Sequence, residues 1–68
     1  MYTIITVECL YDNVAGEYYW QVSTRQGGVT TPSYTYLERR AAVSAARQVA
    51  RNFEAKYGKG MVALRLPK

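Results

Sequence analysis

At 68 residues the chain has room for one domain, spanning 1–68, near the size at which a single core leaves only about 3–5 kcal/mol of net stability and little space for an active-site cleft. Hydrophobic residues make up 49% and charged residues 21%, which excludes a disordered chain, and nine Lys and Arg against five acids give a net charge of +4 that suits an anionic partner without demanding nucleic acid. With no histidine and a single cysteine, Cys9, the usual zinc sets, the Ser-His and Cys-His nucleophile pairs and an internal disulfide are all excluded.

The N-terminal stretch "MYTIITVECLY" has neither a basic leader region nor a small-residue cleavage site, and it alternates as a strand does. Ile5, Val7, Cys9 and Tyr11 share one face, with Cys9 expected as core filling; Ile4, Thr6, Glu8 and Leu10 lie on the other. "DNVAG" at 12–16 is turn chemistry. "EYYWQVSTR" then places Tyr18, Trp20, Val22 and Thr24 inward against Glu17, Tyr19, Gln21, Ser23 and Arg25. "QGG" predicts a tight hairpin, and Val29 to Thr31 return as a short third strand that Pro32 stops. That glycine pair leads into "VTTP", not into the Gly-Lys-Ser/Thr of a phosphate-binding loop.

"TYLE" at 35–38 matches a capping box, with Thr35 as N-cap and Glu38 returning the bond, so the helix is expected to start at Tyr36 and to end before Gly58. On the helical wheel Ala42, Ala46, Val49, Phe53 and Tyr57 form the buried face, flanked by Ala45 and Ala50, and Phe53 is expected at its centre. "GMVALRLPK" closes the chain as a last strand with Val62, Leu64 and Leu66 on one side. The expected fold is α+β, β-β-β-α-β, a small antiparallel sheet with one long helix packed on one face. A helix crossover delivers the last strand parallel to the first, in spatial order 4-1-2-3. The other sheet face, with Tyr2, Ile4, Tyr19 and Gln21, is left without a second helix.

The stretch "RRAAVSAARQVARNF" sets four arginines among five alanines and two valines. Arg40, Ser44, Arg47 and Arg51 follow i, i+4, i+7, i+11 and make one stripe about 16 Å long, with Glu54 one turn beyond. Two readings stand beside each other: a solvated helix back, or a surface aimed at phosphate or carboxylate that Arg39, Lys56 and Lys59 widen. Seven tyrosines add to the second reading. Tyr11, Tyr18 and Tyr57 belong to the core or its edge, which leaves Tyr2, Tyr19, Tyr34 and Tyr36 on the outer face or in the loop before the helix, and tyrosine with arginine is the composition of binding hot spots. The candidate partner-binding set is therefore Arg39, Arg40, Arg47, Arg51, Tyr19, Tyr34 and Tyr36. No motif joins the five acids, Glu8, Asp12, Glu17, Glu38 and Glu54, into a catalytic pair, so a non-enzymatic protein without cofactor is expected.

"IITVECLYDNVAGEYYWQV", a hairpin, the Ala-rich helix and one closing strand together resemble the very small inhibitors that phages and mobile elements carry, the anti-CRISPR proteins above all. The resemblance is one of format: it spans most of the chain and carries no shared motif, so no residue role follows from it. It implies a stoichiometric protein that binds a CRISPR effector complex and blocks DNA recognition or nuclease recruitment. The lone cysteine fits a reducing interior, so cytoplasmic residence is expected, in the host cell if the chain is phage-encoded. Many such inhibitors are acidic and imitate DNA. At +4 this chain departs from that pattern, which points instead to an acidic or mixed protein surface or to the guide RNA backbone. A small basic RNA- or DNA-binding module and a self-associating phage accessory protein are the alternatives; a homodimer is compatible with the uncovered sheet face, and a membrane partner is not expected.

Overall fold

Alternating β-branched and aromatic residues make the first two strands long. In the computed structural model, which describes residues 2–67, β1 (Thr3–Asp12) and β2 (Glu17–Gln26) pair antiparallel without a break from Thr3↔Gln26 to Asp12↔Glu17. Asp12 closes this hairpin. Its Oδ1 accepts from the Val14 and Ala15 N–H groups at 2.9 and 3.2 Å, its carbonyl accepts from the Gly16 N–H at 2.8 Å, and Gly16 takes a φ of 69°. The next turn is Gly27-Gly28, with φ of 57° and 81°. Positive φ at both central positions is the type I′ geometry whose twist suits a two-residue hairpin.

The third strand corrects an expectation. Instead of stopping at Pro32, β3 runs Val29–Tyr36. It is an edge strand, and a proline that lacks an N–H is tolerated there. Between the pairs Ser23↔Pro32 and Gln21↔Thr35 the strand carries one extra residue, so Ser33 and Tyr34 together oppose Val22 in a bulge.

The longer strand also overturns the capping box. Thr35 pairs with Gln21 and Tyr36 with Trp20, so both are committed to the sheet; α1 spans Arg39–Tyr57, 19 residues and about 28 Å. Glu38 is the residue at the cap, extended at φ −113° and ψ 135°, and it makes no side-chain capping bond. Thr35→Val is accordingly expected to change stability by no more than about 0.5 kcal/mol in urea titrations, since valine keeps the β-branched shape. Loss of a working N-cap would cost about 1 kcal/mol.

At the other end Gly58, with φ 102°, donates its N–H to the Glu54 carbonyl at 2.8 Å and lets the chain leave α1. A 3₁₀ turn over Lys59–Met61 delivers β4 (Val62–Arg65) parallel to β1 from Thr3↔Val62 to Thr6↔Arg65. The sheet order is β3-β2-β1-β4, the one the helix crossover implies.

Ile5, Val7, Val22, Ala42, Ala46 and Ala50 form the core between sheet and helix, with Trp20, Tyr36, Ala45, Val49, Phe53, Val62, Leu64 and Leu66 packed around it. Thr3 is fully buried, and its hydroxyl accepts from the Gln26 side-chain amide at 2.9 Å across the strand pair. Two expectations about this core change. Phe53 is half-buried and stacks on Tyr57 at a centroid distance of 6.0 Å, because the three alanines seat α1 so close that the centre has no room for a ring. Cys9, Tyr11 and Tyr18 lie on the helix side as their alternation requires, yet all three are exposed. β4 pairs with β1 only as far as Thr6, and β3 with β2 only as far as Trp20. Beyond Cys9↔Trp20 the hairpin is therefore a two-stranded ribbon with no third strand beside it. On the far side of the sheet Ile4, Tyr19 and Gln21 are half-buried and Tyr2 is exposed, with no second helix among the described residues to cover them.

Candidate functional site

Because Ala42, Ala46 and Ala50 press α1 against the sheet, the residues opposite them on the wheel, Arg40, Ser44, Arg47 and Arg51, face away from it and are exposed, while Arg39, on the alanine side of the wheel, is exposed at the start of the helix. Two open, shallow depressions meet along this row. One lies on α1 itself, among Arg39, Arg40, Ser44, Arg47 and the half-buried Val43. The other runs between α1 and the edge strand β4 and is lined by Arg47, Ala50, Arg51, Glu54, Val62 and Leu64. Arg47 belongs to both.

The polar bonds along the row are few. Arg51 Nη2 donates to Gln48 Oε1 at 3.1 Å, and Gln48 Nε2 donates to Asn52 Oδ1 at 3.1 Å, a chain running along the helix surface. Arg39 Nη2 donates to the Pro67 carbonyl at 3.0 Å and so ties the C-terminal segment to the start of α1. Arg39 and Arg40 are the first two residues of the helix, whose first turn holds no acid. The helix dipole is positive there, so exposed arginines at this end are disfavoured by about 0.3–1 kcal/mol each and add to the positive field that is already present.

The tyrosines divide differently from the sequence-based expectation. Tyr36 packs beside the core opposite Trp20 on the helix side and is a structural residue. Tyr19, half-buried on the uncovered sheet face, lines a shallow depression with Asp12, Glu17, Thr35 and Leu37. Tyr34 sits in the β3 bulge and is 70% exposed. Arg40, Arg47 and Arg51 thus form one row, Arg39 borders it at the helix start, and the candidate tyrosines do not join it. The expectation missed Tyr11 and Tyr18, whose rings meet edge to face at 4.8 Å on the ribbon. A signal for them exists in the strand lengths: the first two predicted strands are longer than the others and must outrun them.

Charge is divided along the chain as well. The first 24 residues hold Glu8, Asp12 and Glu17 and no Lys or Arg, for a charge of −3; the rest hold all nine basic residues with Glu38 and Glu54, for +7. Among the described residues no three His, Cys, Asp or Glu side chains gather as a metal would require, and no helix is long and apolar enough to cross a membrane. No protein-family model matches the chain, and no curated protein or solved structure is significantly similar to it.

Proposed function

We propose that the chain is a non-enzymatic binding protein that docks the arginine-bearing back of α1 on an acidic surface of a host protein or ribonucleoprotein complex. In keeping with its resemblance to small phage inhibitors, the target is a CRISPR effector complex whose nucleic-acid recognition or nuclease recruitment it blocks. The observation that carries the reading is the placement of the arginines. Acids are favoured in the first turn of a helix, whereas here Glu38 stands only at the cap, Arg39 and Arg40 open the helix, and Arg40, Arg47 and Arg51 make one exposed row. Arginine also suits fixed, bidentate contact with carboxylates better than lysine does.

The test is capture of a purified CRISPR effector complex by the immobilised protein, with and without nuclease treatment, followed by a DNA-cleavage assay. Capture that survives nuclease, with inhibition complete near stoichiometric amounts, is the expected result. Capture abolished by nuclease would instead make this a nucleic-acid-binding module. Capture without inhibition would remove the inhibitor assignment.

A further inference from the structure

We propose that two copies of this chain pack their uncovered sheet faces together about a two-fold axis that runs across the strands, with Arg25 of each copy entering the acidic depression of the other. The inference goes beyond the function proposed above and concerns the pure protein alone. Strand register puts the charges of this face at opposite ends. Toward the β1–β2 turn stand Glu8, opposite Gln21, and the pair Asp12↔Glu17; at the other end Arg25 lies opposite Ile4, and Arg65 opposite Thr6. The apolar side chains of the face, Ile4, Leu10 and Tyr19, are only half-buried, and Leu37, which lines the depression with Tyr19, is 75% exposed. A face of this kind gains from being covered.

The order of charge selects a second copy as the occupant. A face of one sign repels itself, whereas a face acidic at one end and basic at the other becomes its own complement once one copy is turned end for end. An axis across the strands makes that turn and sets each strand over its own counterpart. Arg25 and Glu17 stand at opposite ends of β2, about 26 Å apart, so they cannot meet within one chain. With Gln21 on the axis, Arg25 of one copy falls on the depression of Asp12, Glu17, Tyr19, Thr35 and Leu37 in the other, where carboxylates and an aromatic ring receive a guanidinium. Glu8, opposite Gln21, then lies one strand away from the second copy's Arg65. Stacked sheets sit about 10 Å apart, a gap that facing arginine and carboxylate side chains span. The four strands present roughly 500 Å² per copy, about 1,000 Å² in the pair, which is the lower bound of a specific interface and implies a concentration-dependent dimer. Each α1 stays outermost, and its arginine row remains free.

Light scattering coupled to size exclusion tests this on the full chain. At high protein concentration and about 0.1 M salt, which screens the distant helix charges, the expected mass is twice the 7.7 kDa of one chain. It should fall as ionic strength rises toward about 1 M. Glu17→Arg and Arg25→Glu each set like charges against one another at both contacts and should weaken association about tenfold or more. Both positions are exposed, so circular dichroism should show the fold retained. Mixing the two variant chains should restore dimers, since one contact is then native and the other reversed in sign. Replacing Arg40, Arg47 and Arg51 by Gln should leave the mass as it is, so loss of the dimer and loss of a host target are read separately. A protein that stays monomeric, a dimer indifferent to Glu17 and Arg25, a mixture that fails to reassociate, or a dimer lost with the helix arginines would overturn the proposal.

Discussion

Ile5→Ala is expected to leave most of the protein unfolded at room temperature. Ile5 has no accessible surface, sits between Thr24 of β2 and Leu64 of β4, and points at the underside of α1. Truncating a fully buried isoleucine costs about 2–5 kcal/mol, because the lost burial is joined by a cavity that its neighbours fill only in part. A chain this small has about 3–5 kcal/mol to lose. The neighbours here are strands paired on both sides and alanines too short to reach into the gap, which puts the cost in the upper part of that range. Far-ultraviolet circular dichroism and a thermal melt check it. Each kcal/mol moves the midpoint of a domain this size by roughly 4–8 °C, so a variant melting within a few degrees of the parent would mean that the core is centred elsewhere.

Replacing Arg40, Arg47 and Arg51 together by Gln is expected to weaken the complex with the target by several kcal/mol while the melting temperature changes little. Glutamine is also a good helix former, and all three side chains are exposed on the face opposite the core. Single changes should be uneven. Arg47 lines both depressions, so Arg47→Gln alone should account for most of the loss, as interface energies concentrate in a few central residues. A phosphate track would behave differently: the losses would be similar for each arginine, and the slope of log affinity against log salt would fall by about three units on duplex DNA. Unchanged affinity in the triple variant would reduce the row to a solvated helix back.

The parts of this fold readable in the sequence are those set by period. Alternation in "TIITVECLY" and "EYYWQVSTR" assigns faces correctly, and the alanine spacing finds the side of α1 that meets the sheet. The helix crossover then orders the strands. Periodicity says which way a side chain points, but not whether anything lies there to cover it. Cys9, Tyr11 and Tyr18 point as expected toward the helix layer and remain exposed, since coverage depends on where β3, β4 and α1 end. "TYLE" failed for a related reason. A capping box is a local pattern, and it lost to the pairing of Thr35 and Tyr36 with residues of β2 distant in sequence. The arginine row was legible because i, i+4, i+7 spacing needs no knowledge of the rest of the fold. Its two depressions were not, since one of them is built partly from β4.

The contact between helix and sheet rests on methyl groups at Ala42, Ala46 and Ala50, and this has a consequence for how the sequence can drift. Smallness is the main requirement, and it falls on three positions of one helix face. Enlarging any of them, as in Ala46→Leu, forces the layers apart, a strain of about 1–3 kcal/mol in a chain with little to spare. Substitution on the opposite face meets no such constraint. A saturating scan read for folded yield should therefore show a narrow intolerant line of three alanines beside a permissive exterior. If that exterior is the docking surface proposed above, a lineage following a changing opponent could rewrite it one residue at a time without disturbing the face that keeps the protein folded.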